Sequence, residues 1–242
     1  MVVEGAGVAL AVDTRGTGPA VLLVHDMACD AAALAPLAEK LAPGARVIAY
    51  DRRGYGGSGV PVPYGATTVN EQAEDAAAVL RACADAPAVV CGHGFGALIA
   101  LDLVTRHADL LAGAVLAEPP LFAFVPAATE VLSAERLALE EALREGGPEL
   151  AVERWLGPDA DPGRVQRARA AHVAFFADLA GLATWPVTRG LLRAVDLPAV
   201  VVTWASTPSH VGAAADALAG LMPHARRDRE GDLAAAVRAL RP

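Results

Sequence analysis

The sequence has few of the residues on which most nucleophilic and polyanion-binding sites depend. It contains four serines and one lysine, and its formal net charge is −8 at pH 7. An acidic chain without a basic stripe disfavours non-specific binding to nucleic acid or to an anionic membrane. No apolar run approaches the roughly 18 residues that a membrane-spanning helix needs. We therefore expect neither nucleic acid nor a membrane among its partners.

Cysteines and cofactor motifs are also scarce. Cys29, Cys83 and Cys91 are an odd set without metal-ligand spacing, which predicts no metal site and favours a reducing, cytoplasmic setting. The N-terminus has no basic region followed by an apolar stretch, as a secretory signal would. No dinucleotide or haem motif is present, so no cofactor is expected. The sequence does not indicate an oligomeric state.

Apolar runs of strand length alternate with helical periodicities along most of the 242 residues. This alternation predicts an α/β protein with a mostly parallel sheet of about eight strands and helices on both faces. No convincing strand occurs in residues 121–192. We expect one structural domain, with residues 1–120 and 193–242 as its core and residues 121–192 as a helical cap over the strand ends, where such sheets bind ligands. Helical stretches are predicted for Glu130–Glu145, Glu149–Leu156 and Arg164–Leu179.

The most informative motif is Gly92-His93-Gly94-Phe95-Gly96, which follows an apolar strand and precedes a helical run. This is the layout of a nucleophile elbow, in which a nucleophile stands between two glycines at a sharp strand-to-helix turn. Here the nucleophile position is Gly94, which has no side chain. A phosphate-binding loop is a weaker interpretation, because the third glycine of the dinucleotide fingerprint and a Gly-Lys-Ser/Thr sequence are both missing.

Two further motifs accompany the elbow. Val21-Leu22-Leu23-Val24-His25 is a buried strand ending in histidine, and Asp51-Arg52-Arg53-Gly54-Tyr55-Gly56-Gly57-Ser58-Gly59 is a glycine-rich loop. Together with the elbow they resemble the α/β-hydrolase superfamily over nearly the whole chain. The resemblance implies that fold and a nucleophile–acid–histidine triad in chain order.

The resemblance also shows where the triad departs from the family pattern. The acid can follow the strand that ends before Glu118, or lie in the loop 204–209, which contains no carboxylate. The histidine usually follows a glycine before the last helix, where this chain has Asp232. Each carboxylate also has a structural interpretation, because Asp232 suits a helix N-cap and Glu118 can bond a backbone N–H at the strand end. With the nucleophile and histidine positions both changed, ordinary serine hydrolysis is not expected.

The resemblance implies an oxyanion hole made of backbone N–H groups. Phe95 supplies one, and Asp26 or Met27 supplies the other, while His25 orders the loop. Most relatives have glycine where this chain has Asp26. A carboxylate there repels a developing oxyanion unless it points away or is protonated.

Another histidine can replace the catalytic base. His210 follows a predicted strand and lies nearest the expected pocket mouth, which makes it the best candidate. His93 is favoured as structural, since residues before the elbow usually pack below the pocket.

The expected pocket is apolar and suits a small hydrophobic molecule. Two functions remain open. The first is a pseudoenzyme or non-covalent mechanism that keeps the ligand site. The second is an active hydrolase or lyase of ester, lactone or epoxide type that uses Glu118, Asp232 or His210 as acid or base. The residues expected at the pocket are Phe122, Phe124, Phe175, Phe176 and Trp185.

Overall fold

The computed structural model of the protein describes residues 1–241. Eight strands form one sheet in the order β1-β2-β4-β3-β5-β6-β7-β8. β1 and β2 pair antiparallel, β2 pairs antiparallel with β4, and every other pairing is parallel. The strands are β1 (Val2–Glu4), β2 (Ala9–Arg15), β3 (Ala20–Val24), β4 (Arg46–Tyr50), β5 (Ala88–His93), β6 (Leu111–Ala117), β7 (Ala199–Val202) and β8 (Ala225–Asp228).

Nine α-helices surround this sheet within residues 1–241. They are α1 (Ala35–Leu41), α2 (Val69–Cys83), α3 (Phe95–Arg106), α4 (Thr129–Leu156), α5 (Pro162–Ala170), α6 (His172–Thr184), α7 (Arg189–Arg193), α8 (Ser209–Leu221) and α9 (Leu233–Leu240). None of the helices in this part of the chain is long and apolar enough to cross a membrane.

The central strands are apolar on both sides because helices cover both faces of the sheet. In β3, Leu22 and Val24 pack into the cluster that contains α2, α3 and α8. Their neighbours Val21 and Leu23 pack into the opposite cluster with α1 and α9. The period-two alternation of a strand therefore supplies two separate cores from one apolar run. The α/β-hydrolase fold expected from the sequence is confirmed.

The long connection from β6 to β7 is helical and contains no strand in the described structure. The expected break between the helical stretches 130–145 and 149–156 occurs within α4, at Gly146 and Gly147, whose backbone is non-helical. One expected helix is corrected. The single helix expected over 164–179 divides at Ala171 into α5 and α6.

A buried ion pair attaches this helical connection to the sheet. Arg52, in the loop after β4, donates to both carboxylate oxygens of Asp178 in α6 at 3.1 and 2.8 Å. Gln72 and Tyr55 also donate to Asp178. We call these four residues the cap latch. A buried polar network whose atoms are all hydrogen-bonded is rigid. The cap latch is therefore a fixed attachment between α6 and the core.

Candidate functional site

The strand-to-helix turn at Gly94 has the backbone of a nucleophile elbow. Gly94 has φ +55° and ψ −122°, a conformation that favours glycine. β5 and α3 approach so closely that a Cβ at Gly92 would collide with the backbone of Gly96. The turn therefore keeps the sharp, crowded geometry of the motif although the nucleophile side chain is missing.

The carboxylate of Asp26 occupies the space that a side chain at Gly94 would need. A Cβ built on Gly94 would overlap all three atoms of that carboxylate group. Oδ1 of Asp26 accepts hydrogen bonds from the backbone N–H groups of Phe95 and Met27, each at 2.7 Å. These are two of the N–H groups that the resemblance implies for an oxyanion hole. The group that they hold is therefore the protein's own carboxylate, which points into the hole rather than away from it.

The two oxygens of the Asp26 carboxylate differ in their hydrogen bonds. In residues 1–241 Oδ2 of Asp26 accepts no hydrogen bond, while Oδ1 accepts two. One oxygen is thus held by two backbone donors and the other is left to react or to bind. This is the arrangement in which a carboxylate acts as a nucleophile while the oxyanion hole supports its carbonyl oxygen.

His93 and Glu118 form an acid–base pair at the ends of β5 and β6. Nε2 of His93 lies 3.2 Å from Oε2 of Glu118. The backbone of Glu118 has φ +46°, a left-handed conformation that costs a non-glycine residue about 1–2 kcal/mol. Strained residues of this kind cluster at functional sites. Nδ1 of His93 has no protein partner among the described residues, so it is the ring nitrogen able to exchange a proton.

The charges around this pair favour the imidazolium–carboxylate form. Burial lowers the pKa of His93, but the hydrogen bond to Glu118 and the negative charges of Asp26 and Glu118 raise it above its ordinary value. The hydrogen bond from His93 lowers the pKa of Glu118 despite the opposing effect of burial. The contribution of Asp26 to the pKa of His93 links the two parts of the site electrostatically.

The loop after β7 completes the support of Glu118. The Thr207 hydroxyl donates to Oε1 of Glu118 and accepts from the backbone N–H of Trp204 at 2.8 Å. The rings of Trp204 and His93 pack in a T-shaped arrangement, with ring centroids 5.8 Å apart. Both Glu118 oxygens and the imidazole ring are therefore fixed by neighbours.

Asp232 stands at the start of α9, where the family usually has its catalytic histidine. Asp232 is exposed, and its Oδ1 accepts from the N–H of Ala235 at 3.0 Å as the N-cap of α9. Trp204 donates its indole N–H to the carbonyl oxygen of Gly231 at 3.1 Å, so the indole lies between this turn and His93. The structural interpretation of Asp232 as a helix N-cap thus has a contact behind it, and its role as an acid or base remains a prediction.

His25 is hydrogen-bonded to the backbone of the loop after β4. It is fully buried, and its Nε2 accepts from the backbone N–H of Arg52 at 3.0 Å. Burial lowers its pKa well below the ordinary value, with the charge of Arg52 acting in the same direction. Arg52 also donates to the carbonyl oxygens of His25 and Asp26. The cap latch thus extends directly to the segment that positions Asp26.

His210 lies beside the helical connection rather than among these groups. Its ring centroid is 5.4 Å from that of Phe122, and its Nε2 is 3.8 Å from a carboxylate oxygen of Glu135. Neither contact involves a residue of the Asp26, His93 and Glu118 cluster. Its role as the substitute base remains a prediction.

The aromatic residues expected to line one pocket are spread over separate environments. Phe175 is fully buried and packs against Trp155 and Phe176 inside the helical connection. Trp185 donates its indole N–H to Asp102 in α3 at 3.0 Å, and Arg189 lies over the ring of Phe124. A ligand pocket lined by all five residues remains a prediction.

Sequence reasoning missed three members of this site. His93 was recognised beside the elbow but favoured as structural, and Thr207 and Trp204 were passed over because their loop has no carboxylate. The sequence did contain a signal for His93. The residue is adjacent to Gly94, so any carboxylate that takes the place of the missing nucleophile lies near its imidazole. No local pattern indicates the contact between Thr207 and Glu118, which are 89 residues apart.

Comparisons with known proteins agree with the fold. A model of the alpha/beta hydrolase family matches residues 21–239. The structure matches that of an alpha/beta hydrolase from Sphaerobacter thermophilus with a TM-score of 0.76 and 27% identity, over 99% of this chain and 98% of that chain.

Two curated proteins match over a shorter length. The chain is 36% identical over 107 residues to YraK of Bacillus subtilis, an uncharacterized hydrolase, over 44% of this chain and 40% of the relative. It is 31% identical over 108 residues to 2-(acetamidomethylene)succinate hydrolase of Mesorhizobium japonicum, over 45% of this chain and 38% of the relative. Each match spans about two fifths of the relative's own length.

Proposed function

Since the chain belongs to the alpha/beta hydrolase family, we propose that it is a hydrolase whose nucleophile is the carboxylate of Asp26 instead of an elbow side chain. One observation carries this proposal. The carboxylate fills the space next to Gly94 with one oxygen on the backbone donors of Phe95 and Met27, and with the other oxygen free of hydrogen bonds. The hydrolase names of the two curated relatives are consistent with it.

The first step is an attack on carbon. Oδ2 of Asp26 forms a bond to a ring carbon of an epoxide, and the carbon–oxygen bond of the ring breaks. The released alkoxide takes a proton from the imidazolium of His93, which Glu118 holds in place. Epoxides suit this site because ring strain makes the carbon reactive towards a carboxylate, and carboxylate nucleophiles are an established form of covalent catalysis.

The second step returns the enzyme to its starting state. The neutral His93 takes a proton from a water molecule, which attacks Cγ of the Asp26 ester. The negative charge develops on Oδ1, which the N–H groups of Phe95 and Met27 stabilise. The bond between Cγ and Oδ2 then breaks, which leaves Asp26 as a carboxylic acid. This carboxylic acid protonates the leaving alkoxide. The products are a diol containing Oδ2, the Asp26 carboxylate and protonated His93.

Ligand binding without turnover is the second candidate. The observation that favours it is that the oxyanion hole is already filled by Asp26, while the cap latch fixes α6 against the core. A protein of this kind would hold the small hydrophobic molecule expected from the sequence and lack hydrolysis altogether.

Hydrolysis of styrene oxide and of p-nitrophenyl acetate by the purified protein distinguishes the candidates. Asp26→Asn keeps the shape and the accepting oxygen of the side chain but removes the nucleophile, so epoxide turnover falls about 10³-fold or more. Glu118→Gln lowers turnover by about 10²-fold, as expected for weakened proton transfer. Asp232→Asn is the matched control, because the same carboxylate-to-amide change lies at an exposed helix cap.

The two candidates predict different results. Epoxide turnover that Asp26→Asn abolishes and Asp232→Asn leaves intact supports the carboxylate nucleophile. No turnover of either substrate, or turnover equal in the wild type and Asp26→Asn, rejects it and leaves ligand binding.

A further inference from the structure

The helix α5 lies against the segment that carries Asp26. Nε of Arg167 is 3.1 Å from Oδ2 of Asp30, four residues after Asp26. Arg164 is one turn before Arg167 on the same helix, where residues three apart share a face. The side chain of Arg164 therefore belongs to the same face of α5 as Arg167, the face that contacts the segment after Asp26.

Arg164 differs from its neighbours in having no ionic partner. Within residues 1–241 its Nε is buried without a hydrogen bond, and no carboxylate oxygen lies within ion-pair distance of its guanidinium. Arg167 pairs with Asp30, and Arg169 with Glu149 at 3.0 Å. Oδ1 of Asp30 is likewise buried without a hydrogen bond. Buried polar groups are normally satisfied, so an arginine whose buried Nε has no partner suits a group that arrives with the substrate.

The charge of Arg164 extends to the residues around Asp26. It acts to lower the pKa of His93, against the larger effects of Glu118 and Asp26. It also acts to lower the pKa of the Cys29 thiol, which burial raises to about 12. The charge of Arg164 therefore acts on His93 of the site and on Cys29, three residues after Asp26.

We propose that Arg164 binds an anionic group of the substrate, and that this group is a carboxylate. The inference rests on the proposed function for the reacting end of the molecule and adds the chemistry of its other end. A guanidinium binds a planar carboxylate through two parallel hydrogen bonds. The negative charges of Asp26 and Glu118 balance the positive charges of protonated His93 and Arg164. A carboxylate therefore adds one uncompensated negative charge to the site, whereas a doubly charged phosphate adds two.

Binding measurements test this independently of turnover. Hexanoate and its uncharged analogue hexanamide are titrated by calorimetry into the Asp26→Asn protein, which has no nucleophile. Hexanoate is expected to bind about tenfold or more tightly than hexanamide, the preference that an ionic hydrogen-bonded contact gives. Adding Arg164→Gln removes the preference, and adding Arg164→Lys keeps part of it because the charge remains.

Arg167→Gln is the matched control, since it removes an arginine from the same helix that is already paired with Asp30. Arg167→Gln is expected to leave the preference for hexanoate over hexanamide unchanged. Circular dichroism verifies that each variant is folded. Equal affinity for the two compounds, binding of neither, or a preference that survives Arg164→Gln overturns the assignment. A preference that depends on Arg164 in a protein without epoxide turnover retains the anion site and rejects only the nucleophile.

Discussion

Replacing Gly94 by alanine measures how firmly Asp26 occupies the elbow. A Cβ at this position would overlap the Asp26 carboxylate, so the carboxylate must leave the N–H groups of Phe95 and Met27. The backbone strain of a non-glycine residue at φ +55° costs about 1–3 kcal/mol. Leaving buried donors without a partner costs about 1–3 kcal/mol each. With two donors left unpartnered, the free energy of unfolding is therefore expected to fall by about 3–9 kcal/mol.

A double-mutant cycle separates the two contributions. In the Asp26→Ala background no carboxylate remains to be displaced, so Gly94→Ala costs only the backbone strain, about 1–3 kcal/mol. The coupling free energy between the two positions is then about 2 kcal/mol or more. Independent sites add within about 0.5 kcal/mol, so an effect of this size is measurable.

The assay is equilibrium urea denaturation of the four proteins of the cycle, followed by circular dichroism. Gly212→Ala in α8 is the control, because a Cβ there meets nothing within 4 Å, and it leaves the stability unchanged or slightly higher. If Gly94→Ala costs the same in both backgrounds, within about 0.5 kcal/mol, the carboxylate does not occupy the elbow and the reasoning fails.

The remaining predictions concern the acid–base pair and the cap latch. Glu118→Gln removes the main favourable partner of the His93 imidazolium, so the pKa of His93 decreases, as histidine NMR titration will show; an unchanged pKa refutes the pairing. The pKa of His93 is higher in the folded protein than in the unfolded chain, where it is about 6.5. The resulting stabilisation is complete below that pH and is lost as the pH rises through the pKa of His93 in the folded protein. The stability difference between wild type and Glu118→Gln, measured in urea at several pH values above about 5, where Glu118 is ionised, therefore shrinks with rising pH, and a growing difference in that range contradicts it. Arg52→Met leaves Asp178 buried without its cation and lowers the free energy of unfolding by about 3–5 kcal/mol, whereas Arg52→Met with Asp178→Leu regains most of it; equal losses in the two proteins argue against the ion pair.

The sequence predicts elements whose pattern is local. The apolar run Ala20–Val24 and the helix Phe95–Arg106 occur as expected, because the periodicity of each lies within its own residues. The division of α5 from α6 at Ala171 was not predicted, since no proline or glycine stands there.

The site depends on contacts that local patterns do not encode. Gly94 was recognised as an elbow position, and Asp26 as an unusual neighbour of the oxyanion hole. The orientation of the Asp26 carboxylate follows from a hydrogen bond to Phe95, 69 residues away, and from the empty space left by the missing side chain at Gly94. Sequence spacing gives the positions of these residues but not the direction in which a side chain points.

The route of oxygen atoms through one turnover tests the central proposal most directly. The enzyme, in excess over styrene oxide, is allowed to react once in water enriched in the heavy stable isotope of oxygen, and its peptides are then analysed by mass spectrometry. If the Asp26 carboxylate is the nucleophile, water attacks its Cγ, so the heavy oxygen enters Asp26 and the diol contains an unlabelled oxygen from the enzyme. Heavy oxygen in the diol, with none in the peptide that contains Asp26, would contradict the account and show that water attacks the substrate without a covalent intermediate.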